Sequence, residues 1–254
     1  MKKIIGFLIL GLMMQAVSAQ KMKGPGKDYF QPIYMSFARK KPATVFLKNG
    51  KRLKGYIRNV RTKGWLITHI ILKDPKTGEK RKISAEEIKE FYAYPMAMER
   101  FFAVMDVLNN ANKMMRTNLK EKYFKDGAVY YQNVYVSRKN RKQPREYLLQ
   151  LLNPTFSRYI EVFANPSEKY SQGNIGLSNG PQLSGGLEHT YYVRKGEETF
   201  FLKKSQFKKQ YERLFGDNPE FMRKYPAKKA KWKYFSQYVL EYTRMRARQE
   251  DDSK

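Results

Sequence analysis

Two histidines and no cysteine are the first limits on what chemistry this chain can do. His69 lies inside the apolar run Ile67 to Leu72, and His189 lies at the edge of a loop. Neither has a second His, a Cys or an acid at ligand spacing, so a zinc site and a histidine-based nucleophile both lack parts. The doublets Glu86-Glu87 and Glu197-Glu198 join chain neighbours, which point to different sides of a strand or helix. A glycosidase-like pair needs two carboxyls facing one gap, so it would have to assemble across the fold, for example from Glu161 and Glu198. Gly173, Gly176 and Gly185-Gly186 precede no Gly-Lys-Ser/Thr, so the phosphate loop lacks its defining residues. The methionines Met98, Met105 and Met115 could suggest a soft-metal site. Their spacing with Phe102, Asn109, Asn112 and Leu119 is instead that of a buried helix face. No catalytic, metal or cofactor motif emerges, and binding is favoured over catalysis.

What the sequence does concentrate is positive charge. It has 51 Lys and Arg against 23 Asp and Glu in 254 residues, a net charge of +28. Arg39 to Lys82 holds 15 basic and 2 acidic residues, Ser137 to Arg145 holds 5 and 0, and Lys203 to Arg248 holds 14 and 4. Between them, Ile83 to Val136 carries 7 of each sign and Glu146 to Leu202 carries 4 basic and 6 acidic. Segregation of this kind suits an anionic polymer, a membrane surface or an acidic protein, although separate solvated faces would give the same counts. The candidate binding residues are Arg138, Lys139, Arg141, Lys142 and Arg145 on a hairpin tip, with Lys51, Arg52, Arg58, Arg61 and Lys63 in the first basic stretch.

The elements that must position these groups read as an α+β protein. Residues 1–19 form a secretory signal: Lys2-Lys3, an apolar run from Ile4 to Met14 too short to span a bilayer, and Val17-Ser18-Ala19 for cleavage after Ala19. The expected location is therefore outside the cytoplasm: periplasmic, outer-membrane-associated or extracellular. Residues 20–41 are a flexible, turn-rich lead-in. From 42 to 95, five short strands (Ala43 to Leu47, Leu53 to Val60, Trp65 to Leu72, Lys80 to Ile83, Glu90 to Tyr94) form a small β-barrel of their own, opened by the Asn49-Gly50 hairpin. A connecting helix fills 96–125 and stops at Asp126-Gly127. Residues 126–202 form a second antiparallel sheet, with strands Ala128 to Val136, Tyr147 to Leu152, Phe156 to Phe163, Thr190 to Arg194 and Thr199 to Leu202. Its loop 165–189 is long enough to be a disordered excursion or a lid. Helices occupy 203–249, with Ser205 as a cap and Asp217-Asn218-Pro219 starting a short one. Residues 250–254 are a frayed acidic end.

The segment VFLKNGKRLKGYI, Val45 to Ile57, resembles the first half of the Sm-like barrel motif: an apolar strand, Asn-Gly, then a Gly before a strongly bent second strand. That resemblance implies a small barrel and covers about one fifth of the chain. The RNA-binding members carry an acidic residue and an Asn in the next loop, whereas Arg58 to Gly64 here reads RNVRTKG, without an acid. RNA binding by the Sm mechanism is therefore not expected. Across the mature chain, Tyr191-Tyr192-Val193, Phe200-Phe201-Leu202, Phe207, Leu214-Phe215 and Asp217 to Pro219 make the sequence similar to exported proteins of Bacteroidota. This second resemblance implies an envelope protein and transfers no catalytic residue. The expected function is binding of an anionic partner (a glycan, lipid headgroups or an acidic protein) in the cell envelope. The alternatives are a carboxylate-based hydrolase with loop 165–189 as its lid, or a structural subunit of an envelope assembly.

Overall fold

A computed structural model of the chain describes residues 27–63, 66–108, 127–137, 144–166 and 190–253. Strand β1 (Ala43–Leu47) turns its alternate residues Ala43, Val45 and Leu47 inward, and Gly50 adopts a positive φ of 82° that closes the hairpin to β2 (Arg52–Lys63). β2 is 12 residues long and serves two partners. Its first half pairs with β1, from Phe46↔Arg52 to Ala43↔Gly55, and its second half pairs with β3 (Leu66–Lys73), from Tyr56↔Lys73 to Lys63↔Leu66. The bend falls at Gly55 for want of space: a Cβ there would lie 2.6 Å from the Lys73 carbonyl oxygen and 2.9 Å from Leu72 Cγ. β4 (Lys80–Ser84) returns along β3, and β5 (Ile88–Ala93) closes onto β1.

The barrel is not completed by these five strands. β6 (Val129–Val136) pairs with β5, β7 (Arg145–Gln150) pairs with β6, and Ile67↔Leu148 joins β7 to β3. The closed antiparallel ring is β2-β1-β5-β6-β7-β3, and β4 is a flap on β3. This corrects the expectation that 42–95 closes alone and that the strands after Ala128 belong to the second sheet. The five-residue β4 covers β3 only from His69 to Lys73, so the remainder of β3 and the outer edge of β5 need partners, and a sheet edge without one is a liability. Asn133 on β6 reinforces the closure: its Nδ2 donates to the carbonyls of Ala85 and Ile88 in the β4–β5 turn, 3.0 Å each. Val45, Ile57, Ile70, Ile83, Ile88, Phe91 and Tyr131 fill the interior.

The lead-in is also corrected where it is described. Phe30 packs in the C-terminal core, while Tyr34 and Phe37 pack in the barrel. The buried Gln150 side chain fixes the crossing: Oε1 accepts from Tyr34 N at 2.8 Å, and Nε2 donates to Pro32 O at 2.8 Å. These aromatic residues have apolar area to bury, which outweighs the breaks at Pro32 and Gly26 that suggested mobility. α1 (Ala97–Leu108) follows β5.

The second sheet has three strands in the order β10-β9-β8: β8 (Glu161–Ala164), β9 (Tyr191–Lys195) and β10 (Glu198–Leu202). Residues 156–160, expected to begin a strand, instead belong to a turn around the buried Asn153, which donates to the carbonyls of Phe156 and Ile160 and accepts from Val162 N. One face of this sheet meets the outside of the barrel through Leu66, Val134, Val136, Leu149, Leu151, Phe163 and Tyr192. Its other face packs on α2 (Phe207–Phe215), α3 (Pro219–Lys224) and α4 (Phe235–Asp251), around Phe207, Tyr211, Phe215, Phe221, Tyr238 and Tyr242. Asn218 caps α3 by accepting from Phe221 N at 2.9 Å. Ser205 does not cap α2; a 3-10 turn, Lys204–Gln206, leads into it. The acidic end is helical through Asp251, and Glu250 pairs with Arg158.

Candidate anion-binding surface

Strand alternation and register build the candidate surface. With Gly55, Ile57, Ile70, Leu72 and Ile83 inside the barrel, Arg52, Lys54 and Tyr56 on β2, Ile71 and Lys73 on β3, and Lys80 and Lys82 on β4 point out. Register then sets Lys80 opposite Lys73, Lys73 opposite Tyr56, and Lys82 opposite Ile71. The register shift at Ile57/Asn59 makes room for Arg58 beside Tyr56, and its guanidinium carbon lies 5.7 Å from that ring's centre. Arg61 is opposite His69 farther along. The three strands carry nine Lys and Arg and no Asp or Glu. Among the described residues none of the nine is ion-paired. Asp74, in the β3–β4 turn, accepts from Thr77 N at 2.9 Å and Lys76 N at 2.7 Å, and these backbone bonds hold its carboxyl below the usual range.

The basic surface has a defined border. Arg52 lies over the Phe46 ring at 5.6 Å, and Phe46 meets Tyr92 edge-on at 6.2 Å. Tyr92 leans on Tyr130 at 4.7 Å, and Tyr130 donates its hydroxyl to Glu90 Oε2 at 2.7 Å. Burial, followed by that carboxylate, pushes the Tyr130 hydroxyl well above the ordinary tyrosine range, so it stays a neutral donor. Glu90 thus places a carboxylate at this border.

Of the residues singled out in the sequence, Arg52, Arg58 and Arg61 share this surface. Lys51 is exposed in the β1–β2 turn, where its N–H donates to Asn49 Oδ1 at 3.1 Å, and Lys63 is exposed at the far end of β2. Arg145 is exposed at the start of β7, in another strand pair. Arg138, Lys139, Arg141 and Lys142 lie outside the described residues. Sequence reasoning missed Lys54, Lys73, Lys80 and Lys82 as partners of Arg58. Period-two alternation was a signal for each strand, but the register across them was not.

The carboxylates proposed for hydrolysis are engaged elsewhere. Glu161 pairs with Arg194, whose guanidinium also donates to Gln132 Oε1 at 2.9 Å and so ties the second sheet to the barrel. Glu198 accepts from Arg213 Nε at 3.0 Å. His69 lies beside Thr68 Oγ1, with its Nδ1 at 3.2 Å. Among the described residues no group of three His, Cys, Asp or Glu could hold a metal. A crevice lined by Ile33, Met35, Tyr131, Leu148 and Gln150 has room for about one water.

Protein-family models, curated proteins and solved structures all give no match to this chain.

Proposed function

We propose that the chain is an exported, non-catalytic envelope protein that holds an anionic partner through the outer face of β2, β3 and β4. The partner is a phosphorylated or carboxylated glycan, lipid headgroups or an acidic protein. The observation that supports this reading is the run of nine cations on three paired strands with no acid among them. Like charges gathered on three paired strands repel one another, and an ordinary surface mixes signs. The Sm-like resemblance of Val45 to Ile57 retains support from the Asn49-Gly50 hairpin, the bend at Gly55 and the pairing of β5 with β1. Closure by β6 and β7 departs from a five-strand barrel.

Chromatography on heparin tests the reading. Replacing Lys54, Arg58, Lys73 and Lys80 by Ser should move elution to lower salt and flatten the dependence of affinity on salt, because fewer counterions leave the polyanion when fewer cations bind it. Unchanged elution with an unchanged slope would reject this face as the binding surface.

A further inference from the structure

On α1, Met98 is 57% exposed and Met105 36%, which corrects the expectation that both lie on a buried helix face. Exposed apolar groups gain a function where charged and hydrogen-bonding groups stand beside them, and the barrel wall next to the basic strands has that arrangement. Because Val45, Phe91 and Tyr131 point inward, Thr44 and Phe46 on β1, Glu90 and Tyr92 on β5, and Tyr130 and Gln132 on β6 point out. Register then joins them to β2 in two rows. One row runs Lys54, Thr44, Tyr92, Tyr130, and the next runs Arg52, Phe46, Glu90, Gln132. Each starts on a cation and crosses an aromatic ring.

Tyr92 is the open ring of this wall. The Arg52 guanidinium roofs Phe46 at 5.6 Å, whereas Tyr92 stays 41% exposed although Phe46 meets it edge-on at 6.2 Å and Tyr130 leans on it at 4.7 Å. Those two neighbours brace it. Paired strands lie roughly 5 Å apart, so Lys54 is rooted about 10 Å from Tyr92 with only the short Thr44 side chain between them. In the other row Glu90 Oε2 accepts from Tyr130, and its Oε1 accepts no hydrogen bond among the described residues. Gln132 Oε1 accepts from Arg194 at 2.9 Å, and its Nε2 donates to none of the described residues. A ring face, an acceptor, a donor and two cations therefore share one patch.

We propose that this wall binds an acidic glycan, with one sugar ring stacked on Tyr92, its hydroxyls bonded to Glu90 and Gln132, and its acidic groups held by Arg52 and Lys54. This rests on the anionic-partner reading and names the partner. A pyranose carries every group the patch calls for: a C–H face that suits the negative face of an aromatic ring, hydroxyls that donate and accept, and an acidic substituent at its rim. Other occupants fit less well. A phosphodiester backbone laid along the second row meets the Glu90 carboxylate, which repels it. A bilayer needs apolar area to hold a protein by its acyl chains, and a single open ring offers little. Two copies of a chain at +28 repel each other.

Affinity measured over a range of salt separates the ring from the charge. Log affinity falls linearly with log salt, so its value extrapolated to about 1 M is free of counterion release. For the full-length protein this extrapolated affinity should be at least about tenfold higher for heparin than for poly(vinyl sulfate), which carries sulfates without sugar rings. Tyr92→Thr keeps a strand former and the net charge. It should lower the extrapolated heparin affinity by about tenfold with no change of slope, and Tyr92→Phe should retain that affinity. Equal extrapolated affinities for the two polymers in the unaltered protein would overturn the glycan without recourse to any variant. An extrapolated heparin affinity that Tyr92→Thr leaves in place would overturn the stacking. A higher extrapolated affinity for oligothymidylate than for heparin, lost in Tyr92→Thr, would assign the ring to a nucleic acid base and also overturn the proposal. Failure of the unaltered protein to bind either sulfated polymer would defeat the broader anionic reading, which equal extrapolated affinities would spare.

Discussion

The face of β2, β3 and β4 and the ion-paired seam around Lys195 use their cations in opposite ways. On β2, β3 and β4 nine Lys and Arg stand on paired strands without a carboxylate partner among the described residues. In the C-terminal half, Arg158, Arg194, Lys195, Arg213 and Arg244 each meet a carboxylate. The contrast is sharpest at Lys195. Its ammonium donates to Asp217 Oδ1 at 2.5 Å and Leu214 O at 2.9 Å, and Tyr242 donates to Asp217 Oδ2 at 2.8 Å. One cation thereby joins the β9–β10 turn, the end of α2 and α4. A cation held in this way has little left to offer a ligand, whereas one left without a partner contributes little to folding. Charge counted along a sequence therefore predicts binding only after the paired groups have been set aside.

The comparison breaks first if the basic surface does not depend on the bend of β2. Gly55→Val would push a side chain into the Lys73 carbonyl, where even a Cβ stands 2.6 Å away. Backbone must move to relieve that contact, at a cost of about 3 kcal/mol. The movement separates β2 from β3 and so scatters Tyr56, Arg58 and Lys73. Both the melting temperature and heparin retention should fall. Retention that survives a large loss of stability would mean the register of β2 with β3 is irrelevant to binding.

A smaller effect is expected in the C-terminal half. Burial alone would raise the Asp217 pKa, but hydrogen bonds from Lys195 and Tyr242 outweigh it and hold the carboxyl below its usual 3.8. A depressed carboxyl stabilises the fold above the unfolded value and loses that contribution as pH falls through the folded one. Asp217→Asn should cost about 1 to 2 kcal/mol at neutral pH, discounted for the partial exposure of the pair. It should also remove part of the loss of stability expected on acidification below pH 3.8. Heparin retention should not change. A variant as stable as the original, with an unaltered acid limb, would show that these cations are no more structural than those of the barrel.

The sequence made local order legible and left long-range closure hidden. β1 was readable from its alternation and Asn49-Gly50, and the residue at the bend from Gly55, because each rests on contacts a few residues apart. The start of α3 at Asp217-Asn218-Pro219 was readable for the same reason. Closure through Ile67↔Leu148 was not, since nothing in a strand names a partner some eighty residues away. The crossing of Phe30 and Tyr34 depends on Gln150, which looked like one polar residue in a strand. For the candidate surface, the presence of cations was legible, and their division into free and paired was not, because Glu161 meets Arg194 only through the register of β8 with β9.

The smallest effect on stability should come with the clearest effect on binding. Ser at Lys54, Arg58, Lys73 and Lys80 removes four cations that hold no carboxylate among the described residues, and surface changes away from packed or paired groups stay within about 0.5 kcal/mol. On a polyanion the slope of log affinity against log salt should nonetheless drop, by about 0.7 to 0.9 for each cation that had neutralised a phosphate. A parallel variant with Ser at Arg138, Lys139, Arg141 and Lys142 removes the same number of charges from the segment between β6 and β7, so bulk net charge is matched between the two. If the barrel surface is the site, the first variant flattens the slope more than the second at equal net charge. Equal slopes would mean that the ligand senses only the overall positive field, and the distinction between placed and scattered cations would carry no functional weight.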